Sequence, residues 1–387
     1  MATRPISDCM SKNAVGVHRL LLLVVIAGTI LLVSQCDLLL LTSEEENAEW
    51  VVFFNKTAGE VGSDRLDLKL AEQILSAEQT VDLCFYEIDS DTLIGAILAA
   101  HNSGTQVRLI TDDAYLPEVQ ELLNASVPVL SDSAGSVYIY KDMHNKFAVF
   151  DAEWVWTGSY NATENGTFGN ANNAILFRSE DAAVAYTAEF QEMWGSTSAT
   201  PNPEASRFHT GKEDNHLHTF ELDSYPLELY MSPSDQTKEA ILAAITTADY
   251  SISFCIFSFT DDDISAAMEA QLEDNSDLII RGVFDETQAG SQYSEIHKML
   301  EWGNQVEVRV DAVTDSTGAE KFLHHKYLLI DAGHNDRDPL VVTGSCNWST
   351  NGFSYNDENT IISYHPDIVD LFSSEFEERF AEGVIPE

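Results

Sequence analysis

The chain has 387 residues, room for two domains of ordinary size, and its 44% apolar and 10% aromatic content excludes a disordered polymer. Twenty basic residues face sixty-four acidic ones, a net charge of −44, and such a body repels nucleic acid and anionic membranes at long range. Five cysteines without clustered spacing exclude a disulfide framework and a cysteine-based zinc site. The charge reads as a solvated acidic coat, and no obligate protein partner follows from it.

The first 41 residues hold Arg4, Lys12 and Arg19, and then Leu20 to Val33 runs for fourteen residues without a charge. A basic start before an apolar run reads as a signal peptide or an N-terminal membrane anchor. The expectation is export to a periplasmic or extracellular location, with membrane association through this segment. Val33-Ser34-Gln35-Cys36 is similar to a lipoprotein cleavage box, except that Gln35 stands where a small residue is wanted.

Beyond the leader the chain repeats itself. LAEQILSAEQT from Leu70 predicts a helix, and VDLCFY, ending at Tyr86, predicts a strand. EAILAAITTADYSISFCIF, residues 239–257, has the same order, with Cys84 and Cys255 aligned as buried thiols. Each copy continues into a helical pattern (Thr92 to His101; Ile264 to Leu272) and then an apolar run with an acidic end, QVRLITDD or DLIIRGVFDE. The alternation predicts an α/β fold with mixed sheets flanked by helices. The expected division is 42–200 for a first domain, 201–226 for a linker and 227–387 for a second. Ser196 to Tyr225 is rich in Pro, Ser, Asn and His and ends in a short strand pair. His209, His216 and His218 lie there; a single His-x-His without a Cys or carboxylate at ligand spacing reads as surface loop, so no metal is expected.

His144-Asn145-Lys146 opens a strand pattern ending at Asp151, and His324-His325-Lys326 opens another ending at Asp331. Residues two apart on a strand share a face, so each His points with its Lys, while Asp151, Asp331, Asn145 and His325 take the opposite face. Gly158-Ser159-Tyr160-Asn161 follows the first motif and Gly344-Ser345-Cys346-Asn347 the second. Asn172 and Glu358 lie fourteen residues beyond the two glycines. The connection after Asp331 is six residues longer than its counterpart, with GHNDRD as the hairpin tip.

From about Val51 to the C-terminus these residues resemble the phospholipase D superfamily, whose hallmark is a duplicated His-x-Lys-x4-Asp followed by Gly-Ser-x-Asn. The resemblance implies two similar α/β domains related by a pseudo-two-fold, with one active site at their interface. It carries over a catalytic set of His144, Lys146, Asp151, His324, Lys326 and Asp331; the two aspartates, on the other face, suit a structural role. It also marks Glu358 as a position where a carboxylate orients a catalytic imidazole.

A phosphodiester is anionic and resists water, so its site needs positive charge, a nucleophile and an acid. Lys146, Lys326, Asn161 and Asn347 can clamp the phosphate, with Ser159 and Ser345 as further phosphate contacts or turn residues. One imidazole attacks phosphorus to form a phosphohistidine, and the other protonates the leaving oxygen. Neither cofactor nor metal is called for. If Glu358 partners His324, then His324 is the charged acid and His144 the nucleophile, the order several relatives use. The expected activity is phospholipase D-type hydrolysis of phospholipids. The alternative is an endonuclease of the same superfamily acting on single-stranded nucleic acid, which needs a basic groove; Lys141 and Lys321, just upstream of the motifs, are among few cations to line one. A non-catalytic binding module fits poorly with two intact motifs.

Overall fold

A computed structural model describes residues 49–55, 64–134, 141–311, 321–334 and 337–386. The expected leader, its membrane association and Cys36 lie outside these residues. Among the described residues no helix is long and apolar enough to cross a membrane.

The first half runs β1 (Trp50–Asn55), α1 (Leu66–Ser76), β2 (Thr80–Phe85), α2 (Asp91–Ser103), β3 (Gln106–Thr111), β4 (Val129–Ser131), β5 (Lys146–Phe150), β6 (Trp154–Gly158), α3 (Glu164–Phe168), β7 (Asn172–Arg178) and α4 (Glu180–Trp194). Helix α1 forms because Leu66, Leu70, Ala71 and Ile74 recur at helical spacing and bury one face. Helix α2 stops at Gly104, whose φ of 103° lets its N–H reach back to the last carbonyls.

The second half repeats the plan with one extra strand at its start. It runs β8 (Thr219–Leu222), β9 (Tyr225–Ser232), α5 (Thr237–Ile245), β10 (Ser251–Ile256), α6 (Asp262–Asp274), β11 (Ile279–Asp285), β12 (Val306–Asp311), β13 (Lys326–Ile330), β14 (Leu340–Gly344), α7 (Thr350–Ser354), β15 (Glu358–Ser363) and α8 (Pro366–Glu382). The sheets are ordered β1-β7-β6-β5-β2-β3-β4 and β8-β9-β15-β14-β13-β10-β11-β12. Strand for strand the second order is the first with β8 added at the edge. The hairpin β8–β9 therefore belongs to the second sheet, and the expected 226/227 boundary falls inside β9.

Residues from Trp50 onward form one compact unit. Helices α1 and α2 pack on the outer face of the first sheet, and α5 and α6 on that of the second. A third cluster spans both halves: it takes in Tyr186, Phe190 and Trp194 of α4 and Phe372, Phe376 and Phe380 of α8, with Cys84 and Cys255 at the sheet faces. Fully burying an aromatic of this size contributes about 2–3 kcal/mol, so this shared core holds the two halves together and fixes what meets across the joint.

The motif strands β5 and β13 are fully buried and paired on both sides, β5 by β2 and β6, β13 by β10 and β14. Their burial explains the unbroken apolar runs between Lys146 and Asp151 and between Lys326 and Asp331.

Candidate active site

His144 and His324 come to the same joint, each held by a residue from the opposite half. His144 Nδ1 lies 2.8 Å from both carboxylate oxygens of Glu358. His324 Nδ1 lies 3.0 Å from Asn172 Oδ1 and 3.1 Å from the Ser159 carbonyl. Glu358 thus partners His144, and the sequence-based pairing of Glu358 with His324 is reversed. Adjacent backbone makes the exchange: Met143 bridges to Asp357 and Leu323 to Ala171, each across the joint.

The two-fold extends through the surrounding side chains. Lys146 Nζ donates to the His144 carbonyl and Lys326 Nζ to the His324 carbonyl, each at 2.7 Å. Each ammonium also lies over an aromatic ring, Lys146 on Tyr86 and Lys326 on Phe257. The same two rings stand beside the imidazoles, at 4.8 Å from His144 and 4.9 Å from His324. Gly158 and Gly344 are required: with φ of 147° and 151°, a Cβ would lie 2.4 Å from the Asn173 carbonyl or 2.2 Å from that of Asn359.

The hydroxyls of Ser159 and Ser345, expected as phosphate contacts or turn residues, are turned to the residues that hold the histidines. Their hydroxyls donate to Asn172 Oδ1 (3.1 Å) and Glu358 Oε2 (2.6 Å), and accept from the backbone N–H of Asn173 and Asn359. Each serine has spent its one donor on steering the residue that steers a histidine. Asn161 and Asn347 are half-buried at the turns before α3 and α7, and the carboxamide oxygen of each is buried without a hydrogen-bond partner.

Asp151 and Asp331, carried over with the catalytic set, stand away from the imidazoles. They lie at the far ends of β5 and β13, five residues and roughly 16 Å along the strand from Lys146 and Lys326. Asp151 accepts the backbone N–H groups of Glu78, Gln79 and Thr80 at 2.7–2.8 Å. Asp331 accepts those of Asp249, Tyr250 and Ser251 at 2.7–2.9 Å. Both hold φ near +50° at the hairpin turn and pin the start of the neighbouring strand. His325, on the opposite face as expected, is buried, with Nε2 at 3.3 Å from Glu375.

Electrostatically the centre is a small cationic room. Burial, then Lys146 and Lys326, push the His144 imidazole well below its usual range. Burial and the same two lysines do likewise to His324, with His144 contributing. Each imidazole therefore feels both lysines and stays neutral without substrate. Burial lowers Lys146 to about 8 and also lowers Lys326, in the latter case with Lys146 as the next cause. Burial raises Glu358 to about 8, against the pull of Lys146, Ser345 and Lys326.

Behind Glu358 stands a layer that sequence reasoning missed. His209 is buried rather than on a surface loop: its ring contacts Asp357 at 3.0 Å and Asp132 at 3.3 Å. Lys212, also buried, pairs with Glu189 and reaches Asp357 at 3.2 Å. His216 is inside as well, 2.9 Å from Asp235. These partners lie up to 148 residues apart in the chain, and no local pattern announces them. Asn172, by contrast, was marked by its matched spacing with Glu358.

The His209 layer makes a testable contribution to stability. Burial opposes its charge, but Asp357 and Asp132 outweigh burial and raise the imidazole to about 9. The unfolded value is about 6.5, so the folded chain holds this proton more tightly. Its stabilisation is complete below about pH 6.5 and lost as the pH rises through about 9, amounting to at most about 3 kcal/mol. His209→Gln flattens this dependence, seen as urea midpoints converging with wild type between about pH 6 and pH 9.5. Parallel pH curves for the two proteins contradict it.

Residues 70–194 and 241–380 match the family model described as "Cardiolipin synthase, PLD-like domain". A mitochondrial cardiolipin hydrolase of Xenopus tropicalis is 33% identical over 125 residues, 31% of this chain and 57% of that protein. A phospholipase D of Rickettsia prowazekii is 28% identical over 137 residues, 34% of this chain and 62% of that protein. The matched stretches thus span less than two thirds of these relatives. Among solved structures, the phosphatidylserine synthase of Haemophilus influenzae superposes with a TM-score of 0.61 at 11% identity, covering 87% of each chain, a likeness of fold.

Proposed function

The chain belongs to the phospholipase D-like family, and from that premise we propose that it hydrolyses phospholipid phosphodiesters through a phosphohistidine on His144. The observation that carries this reading is the pair of imidazoles, each fixed by Nδ1 to the opposite half and each under the charge of both lysines. Ser159 O and Asn172 Oδ1 both face His324 Nδ1, and a carbonyl can only accept, so Nδ1 carries the proton and Nε2 is free for acid–base work. With Nδ1–H of His144 given to Glu358, its Nε2 likewise presents a lone pair.

The roles follow from the unlike partners. When His144 Nε2 bonds to phosphorus its ring gains positive charge, and Glu358 at Nδ1, in its ionised form, stabilises that charge. His324 has only neutral acceptors at Nδ1, so once protonated it is the readier donor. The incoming phosphodiester supplies a negative charge between Lys146 and Lys326, which offsets their effect and lets His324 take up a proton. In the first step the N–P bond forms, the P–O bond to the leaving alcohol breaks, and the His324 proton goes to that oxygen. In the second, His324 takes a proton from water, the water oxygen bonds to phosphorus, and the N–P bond breaks to free phosphatidate. Asn161 and Asn347 complete the grip on the non-bridging oxygens.

A lipid substrate is favoured over nucleic acid by the charge of −44, which opposes approach of a polyanion, and by the names of the relatives. The test is the full chain, without added divalent ions, on phosphatidylcholine vesicles, cardiolipin vesicles and single-stranded DNA. Phosphatidate or its cardiolipin equivalent is expected to accumulate with lipid. Strand cleavage with both lipids untouched overturns the reading.

A further inference from the structure

Away from the active site, where the crossover between the halves enters β8, two histidines and an aspartate converge. His216, His218 and Asp235 each turn one ligand atom into a space where those atoms lie within 4.8 Å of one another. His216 Nδ1 donates to the Leu217 carbonyl at 2.8 Å and His218 Nδ1 to the Leu229 carbonyl at 2.9 Å. Carbonyls only accept, so each Nδ1 carries a proton and each ring offers its Nε2, protonated or bearing a lone pair, to what lies opposite. Both Nε2 atoms face carboxylates: His216 Nε2 lies 2.9 Å from Asp235 Oδ2, and His218 Nε2 3.2 Å from Asp214 Oδ2. Each such nitrogen–oxygen pair needs a proton or a metal ion between its atoms.

Burial sharpens the point. The side chains of His216 and Asp235 are 4% and 1% exposed, yet His216 Nε2 and Asp235 Oδ1 have no hydrogen-bond partner. Asp235 Oδ2 is already held by the Met231 N–H at 2.8 Å, and the His218 ring is stacked on Tyr230. The donors are positioned, and ring N–H groups bonded to backbone carbonyls are the usual outer support of metal-bound histidine.

We propose that His216 Nε2, His218 Nε2 and a carboxylate oxygen of Asp235 form a Zn²⁺ site, with the fourth position open on the side of Asp214. Two imidazoles and a carboxylate suit zinc, whereas calcium and magnesium take oxygen-only sets. The ion ties the residues before β8 to the turn after β9. Ser232 ends β9 at that turn and its carbonyl accepts from Lys212 at 2.7 Å, so the site braces the layer behind Glu358 without touching substrate. Its role is structural, and the inference does not rest on the phosphodiesterase reading.

The test uses the full chain, stripped with chelator, desalted and titrated with ZnCl2 by calorimetry, with melting followed in parallel. Wild type takes up one equivalent that His218→Ala binds at least about 100-fold more weakly, and the melting point of wild type alone rises with that equivalent. His218 is 28% exposed, so this variant keeps the fold; an unchanged far-UV spectrum and phosphodiester turnover check that it has. MgCl2 produces no such difference between the two proteins. Equal zinc uptake by wild type and variant, or none by either, overturns the proposal and leaves His216 and Asp235 as an ion pair only.

Discussion

His144→Ala and His324→Ala each lower kcat on an unactivated phospholipid by on the order of 10⁴-fold or more, because each removes a group that bonds to the reacting atoms. The two losses differ in kind. With a p-nitrophenyl phosphodiester the leaving oxygen needs no proton, so His324→Ala regains most of the first step and accumulates phosphorylated enzyme, since no base remains to activate water. His144→Ala regains nothing, because no bond to phosphorus can form. Acid-quenched and alkali-quenched samples, digested and mapped, place the phosphoryl group on the peptide containing His144. A phosphoryl group on the His324 peptide, or rescue of His144→Ala by the activated ester, reverses the assignment.

Glu358→Gln lowers kcat by about 10²–10³-fold with little change in KM. Glutamine keeps the size of the side chain and an acceptor for the Ser345 hydroxyl, now 2.6 Å from Oε2, so the histidine remains in place. What is lost is the charge that stabilises the ring as it bonds to phosphorus, a term present only in the transition state. The companion change, Asn172→Asp, gives His324 a carboxylate of its own. The imidazolium is then held more firmly, and protonation of a poor leaving group slows while reaction of the p-nitrophenyl ester is spared. Initial rates over a range of substrate concentrations separate these outcomes. A Glu358→Gln variant that raises KM at unchanged kcat would assign the carboxylate to substrate binding instead.

These effects arise at a joint that sequence reasoning could populate but not assemble. The duplicated helices and strands, Cys84 and Cys255 in the core and the site residues His144, Lys146, His324 and Lys326 were all legible, because each rests on local periodicity or on matched spacing. Strand alternation also placed Asp151 and Asp331 on the face away from the histidines. There they satisfy three backbone N–H groups apiece, which is why the motif ends in aspartate.

The chain by itself therefore determined which side chains are candidates for the site, since a face and a repeat are properties of neighbouring residues. Only the tertiary structure decided who meets whom. Glu358 lies 34 residues after His324 and 214 after His144, yet the pseudo-two-fold hands it to the ring more distant in sequence. His209, His216 and Asp235 joined the interior the same way, through packing of the crossover against both halves. Contacts of that kind are set by how two apolar faces close on a shared core of α4 and α8, and the chemistry of a single strand carries no record of the angle at which they do so.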